Sequence, residues 1–162
     1  MKIDNFLNPK YIAVIGVSND SAKVGRKIFD NLILNKKSKV FPINNKEKKI
    51  AGLLAYQDVS SLPIKDWEGL LVIIAIPAKF VLGEIIKCSK LGIKNFIIIS
   101  AGFKEIGGTG LEMEKKILDL AQKENLNILG PNCLGFINNI ISLNATFSSF
   151  SPDKSIVRKN NI

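Results

Sequence analysis

Tyr11-Ile-Ala-Val-Ile-Gly16-Val-Ser18-Asn-Asp-Ser21-Ala-Lys23-Val24-Gly25 is the stretch that decides the fold. It opens with a short run of largely β-branched apolar residues, the composition of a strand buried on both faces. The run breaks at Gly16, passes a hydroxyl at Ser18 and a cation at Lys23, and enters an amphipathic pattern at Val24. A strand, a small polar turn and a helix N-terminus in that order make a phosphate-binding corner, because turn N–H groups and the helix dipole both favour an anion. The later glycines of a G-x-G-x-x-G dinucleotide fingerprint are missing, with Ser18 and Ser21 in their places. The corner is nucleotide-like, but it is not that of an ordinary NAD domain.

Outward from this corner, strand-like runs recur at 11–17, 39–43, 70–76, 95–100 and 127–129. A helix over 24–34 carries Val24, Ile28 and Leu32 on one face. A second, over 79–91, stops at Gly92 in a left-handed cap. A third opens on Thr109-Gly110-Leu111-Glu112 as a capping box and runs to Glu124, with Leu111, Ile117, Leu118 and Ala121 as its apolar face. A weaker helical signal over 47–57 follows the second strand. Nearly all-apolar strands alternating with crossover helices predict an α/β fold: a Rossmann-like, doubly wound parallel sheet in a single three-layer domain.

A chain of 162 residues, 46% hydrophobic and 23% charged, suits one core. Its longest apolar runs, at 70–76 and 96–99, are too short to span a bilayer, and the N-terminus has no signal-peptide pattern, so no membrane association is expected. Cys88 and Cys133 are too far apart for a C-x-x-C motif and one pair makes no disulfide framework, which predicts a reducing, cytoplasmic setting. The formal charge of +9 raises the question of nucleic acid. The lysines are scattered, however, with one cluster at Lys46, Lys48 and Lys49, and no RNA-binding aromatic signature or zinc-finger spacing accompanies them; nucleic acid is not an expected partner. The absence of histidine removes the commonest general base, the usual zinc ligand and every Ser-His or Cys-His nucleophile pair. No catalytic residue and no metal site are expected in this chain, and Cys133 reads as a small packing residue.

Ligands of open α/β sheets bind outside the carboxyl ends of the strands, so those ends carry the functional reading. The first delivers Gly16, Ser18 and Lys23. The second delivers Phe41-Pro42-Ile43-Asn44-Asn45-Lys46, with no carboxylate until Glu47, where an NAD domain places an acid on the ribose. Lys46 would attract an additional ribose phosphate, which leaves NADP or coenzyme A. The third ends Ile76-Pro77-Ala78; Pro77 terminates the strand and offers an apolar surface to an adenine or a pantetheine arm. The fourth ends in the small residues Ser100, Ala101 and Gly102, which allow close backbone approach. The fifth ends Gly130-Pro131-Asn132-Cys133-Leu134-Gly135, a tight loop. Trp67 and Glu68 precede the third strand at its amino end and read as structural.

Taken together, these motifs resemble the N-terminal CoA-binding domain of ADP-forming acyl-CoA synthetases of the acetate–CoA ligase type, relatives of the succinyl-CoA synthetase alpha subunit. The resemblance rests on Val-Ile-Gly-Val-Ser with Lys-Val-Gly, Val-Phe-Pro-Ile-Asn, Ile-Pro-Ala, Ile-Ser-Ala-Gly-Phe-Lys-Glu and Gly-Pro-Asn-Cys-Leu-Gly, and extends to Leu143-Asn-Ala-Thr-Phe147. It implies a CoA-binding domain over 1–147 and a linker over 148–162 leading toward a further synthetase domain. It also implies that Gly16, Ser18 and the Lys23-Val24-Gly25 turn meet CoA phosphates, and that Pro42, Asn44 and Lys46 lie near the adenosine and its 3′-phosphate. Ile76 and Pro77 would border adenine and pantetheine, and Ser100, Ala101, Gly102 and Asn132 would guide the thiol end. In the family the phosphoryl group rides on a histidine in a following domain, and ATP, ADP and Mg belong to an ATP-grasp domain; this chain alone is therefore expected to bind CoA or acyl-CoA without turnover. Its expected partners are the remaining synthetase domains or subunit. A stand-alone CoA-binding protein, the CoA domain of a synthetase-like protein acetyltransferase, and an NADP-dependent oxidoreductase are the alternatives.

Overall fold

The computed structural model describes residues 3–148, so the linker expected at 148–162 lies outside the described residues from 149 onward. Five strands, β1 (Tyr11–Ile15), β2 (Lys39–Ile43), β5 (Leu70–Ile74), β6 (Asn95–Ile98) and β7 (Asn127–Leu129), form one sheet in the order β2-β1-β5-β6-β7. Every pairing is parallel. Counting parallel strands alone, the order is 2-1-3-4-5, a doubly wound sheet whose connections change direction between β1 and β5.

Side chains alternate across the sheet with the two-residue period of a strand. Ala13, Ile15, Val72, Ile74, Phe96 and Ile98 face one layer, made of α3 (Ala78–Lys90) and α4 (Gly108–Glu124), which contribute Val81, Ile85 and Ile117. Ile12, Val14, Leu71, Ile73 and Ile97 face the other layer. There α2 (Val24–Ile33) buries Ile28, Phe29 and Leu32. Beside α2, the space a helix would occupy in a fully symmetric fold is taken by an antiparallel hairpin, β8 (Gly135–Asn138) with β9 (Leu143–Thr146), which buries Leu143 and Ala145. Asn31 Nδ2 donates to the carbonyls of Thr146 and Ser148 at 2.8 and 2.9 Å, fastening the hairpin to α2. A short helix α1 (Asp4–Leu7) closes this layer, with Phe6 stacked on Phe136 at 5.7 Å. Pro42, which has no N–H to give a ladder, sits in the edge strand β2, buried opposite Val14.

Two expectations are corrected. The crossover after β2 is not helical: Lys49–Ile50 (β3) and Leu53–Leu54 (β4) pair antiparallel, followed by a 3-10 turn at Val59–Ser61. Ala51 and Gly52 both take left-handed φ, 49° and 78°, which turns the chain in two residues and ends any helical periodicity. The third helix starts before Thr109: Gly107 is its N-cap, with φ 67°, and no side chain caps it, so Thr109 lies inside the first turn and forms no capping box. Its buried side is Gly110 and Ile117, with Met113, Leu120 and Ala121 partly covered, whereas Leu111 and Leu118 are more than half exposed. The packing of α4 on the turn Lys104–Ile106 selects that side, because a Cβ on Gly110 would stand 2.1 Å from the Phe103 carbonyl oxygen.

That contact separates two helical glycines by sign. Gly83 of α3 has nothing within 4 Å of an added Cβ, so Gly83→Ala should stabilise the domain by about 0.5–1 kcal/mol through helix propensity. Gly110→Ala should destabilise it by about 1–3 kcal/mol through overpacking, despite the same propensity gain. Urea unfolding of the two variants against the parent chain measures both signs.

Candidate functional site

At the end of β1, Gly16 takes φ 94°, and a Cβ there would stand 2.3 Å from the carbonyl oxygen of Ala75 at the end of β5. One turn later, a Cβ on Gly25 would stand 2.4 Å from the Gly16 carbonyl oxygen. Both positions therefore exclude a side chain. They hold the N-terminus of α2 directly against the strand-end turn. The first turn of α2 contains no acidic residue, and no side chain caps it, so its orphan N–H groups are open to an anion. The Ser18 hydroxyl, enclosed in the turn between β1 and α2, has no hydrogen-bond partner among the described residues. A buried hydroxyl left unpaired costs about 1–3 kcal/mol, an imbalance that a phosphate oxygen would remove. Lys23 at the N-cap and Val24 are exposed beside it.

A cleft of about 590 Å³ opens at the switch point between β1 and β5. Gly16, Asn44, Lys46, Ile76 and Pro77 line it, five of the residues that the strand-end motifs single out. Asn44 is a framing residue: its Nδ2 donates to the Val17 carbonyl at 2.6 Å, and its Oδ1 accepts from Lys46 N and Glu47 N at 2.7 and 2.9 Å. Glu47, the first acid after β2, turns away from the cleft and accepts from the N and Nδ2 of Asn19. Lys46 stays exposed at the cleft rim. Pro42 is buried one residue behind Ile43 and lies outside the lining, so it reaches a ligand only through the residues that follow it.

Further along the carboxyl edge, Ser100, Ala101, Gly102 and Asn132 stand at the ends of β6 and β7 rather than in the cleft. The Ser100 hydroxyl accepts from Ile76 N at 3.2 Å and donates to the Ile74 carbonyl at 3.4 Å, binding the ends of β5 and β6 together. Asn132, with φ 53°, donates its backbone N–H to the Ser100 carbonyl at 3.0 Å, so the last loop is tied to the same edge. Glu105 accepts from Gly102 N at 2.5 Å and Phe103 N at 3.2 Å; the hydrogen bond from Gly102 holds its carboxyl below the usual range. Cys133 is half-buried with its Sγ 3.4 Å from the Ile98 carbonyl oxygen, and burial raises its thiol. Burial pushes Cys88 up to about 12.

The sequence reading missed Gln57, Asp58, Phe80, Glu84 and Lys87, which also line the cleft. Pro77, Phe80, Glu84 and Lys87 fall at intervals of three, four and three residues, one side of α3; that stripe was visible in the spacing, whereas Gln57 and Asp58 arrive only through the folding of the β2–β5 crossover. A larger groove of about 820 Å³ lies between α4 and β7, walled by Leu111, Ile117, Leu118, Leu126 and Ile128. It lies at the β7 edge of the sheet, away from the switch point between β1 and β5, so the smaller cleft is the candidate site. Among the described residues, no group of three His, Cys, Asp or Glu side chains converges on a metal position.

Because burial keeps both thiols protonated, iodoacetamide at pH 8 should modify Cys88 and Cys133 of the native chain much more slowly than the same cysteines in urea. Mass-spectrometric counting of alkylated sites over time checks this. Rapid native labelling of Cys133 would mark it as reactive.

Residues 10–139 match the family described as CoA binding domain. The alpha subunit of an ADP-forming acetate–CoA ligase II from Pyrococcus furiosus is 43% identical over 145 residues, which are 90% of this chain and 31% of that subunit. A crystal structure from Pyrococcus horikoshii OT3 superposes with a TM-score of 0.83 at 45% identity, covering 90% of this chain and 33% of the other. The dinucleotide-forming acetyl-coenzyme A synthetase 1 of Ca. Korarchaeum cryptofilum, in complex with phosphate and ADP, gives a TM-score of 0.81 at 37% identity, covering 90% and 31%. This chain thus spans about one third of the length of these relatives. The match takes in β1 to β8, including the α2 corner and the switch-point cleft, and the chain accordingly belongs to the CoA-binding domain family.

Proposed function

We propose that this chain binds CoA or acyl-CoA across the carboxyl edge of its sheet as the CoA-binding part of an ADP-forming acyl-CoA synthetase in the cytoplasm. The single observation that carries this reading is the unpaired, buried Ser18 hydroxyl beside an uncapped, acid-free helix N-terminus. That constellation suits a pyrophosphate, and Lys46 at the rim of the neighbouring cleft suits a ribose phosphate. From β2 to β7 the carboxyl edge crosses four strand spacings, about 19 Å, a track for an extended pantetheine arm. Along it, Gly102 and Asn132 present backbone at positive φ, where a ligand chain can approach closely.

On this reading, the chain's own residues bind and orient the cofactor. Phosphoryl transfer, with ATP, ADP and Mg, belongs to the remaining domains or subunit of the synthetase, and the acid:CoA ligation needs them. The sequence has no histidine to activate a nucleophile, and burial raises both thiols.

Calorimetric titration with CoA, 3′-dephospho-CoA and NADP in one buffer tests the reading. CoA should bind, loss of the 3′-phosphate should weaken binding, and NADP should give no signal; NADP binding without CoA binding would make the site that of a reductase. Lys23→Ala and Lys46→Ala should each weaken CoA binding about 3–10-fold at low salt, and less at 0.5 M salt, because phosphate attraction by exposed lysines is screened. Unchanged affinity in both variants would remove them from the site.

Ser18→Ala gives a signature that a merely structural serine would not. Removing an unsatisfied hydroxyl should leave stability of the free chain unchanged or raise it by about 1 kcal/mol, while CoA affinity falls about tenfold. Thermal melting without ligand, paired with the CoA titration, measures both. A loss of stability with unaltered affinity would assign Ser18 to the fold alone.

A further inference from the structure

The cleft carries a feature that phosphate binding does not explain. Two carboxylates, Asp58 and Glu84, line it in a chain of net charge +9, although acids oppose a phosphorylated ligand. Glu84 is fixed in place: its side chain is only 21% exposed, and its Oε1 accepts from Lys87 Nζ at 2.6 Å. Asp58 is held through Oδ1, which accepts from Ser60 N at 2.8 Å at the head of the 3-10 turn. Each acid therefore keeps one oxygen, Glu84 Oε2 and Asp58 Oδ2, without a hydrogen bond among the described residues. The pair comes from two separate elements, α3 and the β2–β5 crossover, and converges on one cavity.

The same cleft also has apolar lining. Ile43, Ile76 and Pro77 stand at the ends of β2 and β5, and Phe80 leaves 54% of its surface exposed at the mouth, with Lys79 Nζ 5.0 Å from its ring centroid. A half-exposed aromatic ring in a cleft suits a planar base, which stacks on it irrespective of the base's polar edge. Free carboxylate oxygens accept hydrogen bonds and donate none, so they select a base that turns an amino group toward them and disfavour one that turns a carbonyl.

We propose that Asp58 and Glu84 read the exocyclic amino group of an adenine lying on Phe80, making this cleft selective for adenine over hypoxanthine. The proposal rests on the reading that the cleft holds the nucleotide of CoA, and names the groups that recognise its base. Lys87 acts as a positioning residue by holding Glu84 in the cleft wall. Lys46, beyond the end of β2, is left for the ribose phosphate.

The test compares CoA with its hypoxanthine analogue, in which the amino group is replaced by a carbonyl and every phosphate is retained. Both ligands carry the same charge, so changes in general electrostatics cancel in the ratio of their affinities. The parent chain should bind CoA about tenfold or more tightly than the analogue. In the Glu84→Gln/Asp58→Asn double variant, which supplies amide donors at the same positions, the ratio should fall to about one or invert. Phe80→Ala should weaken both ligands alike, about tenfold, and leave the ratio unchanged. A parent ratio near one overturns the proposal without recourse to any variant, and so does a ratio that the double variant leaves unaltered. Failure of the parent chain to bind CoA at all is a different result: it overturns the proposed function, and this assignment with it.

Discussion

The structure depends on backbone-to-backbone contact at the end of β1. Gly16 lies against the Ala75 carbonyl on one side, and Gly25 lies against the Gly16 carbonyl on the other, at separations that leave no room for a Cβ. Sheet and helix therefore meet without side chains between them at this one point, which brings the head of α2 and the end of β5 to the same turn. An alanine at either position would have to displace backbone, the least compressible part of a packed interior. The enclosed Ser18 hydroxyl and the free N–H groups of α2 follow from that contact, since a helix standing farther off would admit water to both.

From this point the two ends of the sheet divide their work. The amino end is closed by linked amides: Asn95 Nδ2 donates to the Glu68 carbonyl, Asn127 Nδ2 donates to Asn95 Oδ1, and Asn5 Nδ2 also reaches the Glu68 carbonyl, while Asn127 Oδ1 has no partner among the described residues. The carboxyl end keeps its loops linked through side chains instead. Asn44 ties the β2 loop to Val17, Asn19 ties the β3–β4 hairpin to the β1 loop, and Ser100 ties β5 to β6. Such links hold a cleft open by bracing its rim, a form of preorganisation that lowers the ordering cost of binding. They also explain why several polar residues near the site have little hydrogen-bonding capacity left for a ligand.

Helix registers show where linear patterns lose force. Ile28 and Leu32 of α2 are buried as their spacing implies, but Val24 is 40% exposed because it sits in the first turn, beyond the edge of the layer. In α4 the apolar residues Leu111 and Leu118 flank the true contact side, and the helix is turned instead by Gly110 meeting Phe103. Periodicity names a stripe, and the tightest backbone contact decides which side of that stripe faces inward. The β3–β4 hairpin is a related case: alternation over two-residue strands is too short to read, and the turn at Ala51 and Gly52 is held from outside by Asn19.

What the sequence determined by itself is the parallel sheet, its three long helices and the set of loops at one edge, because apolar strands buried on both faces, glycine breaks and helix periodicity are local signals that survive in one dimension. It also located the corner of strand, turn and helix N-terminus around Gly16, since those elements are contiguous there. Tertiary structure alone decided what shares the cleft. Asp58 reaches it through a crossover with no regular pattern, Glu84 and Lys87 through the rotation of α3, and Glu47 is withdrawn from it by Asn19. These outcomes depend on distances between elements far apart in the chain, which local propensity alone does not encode.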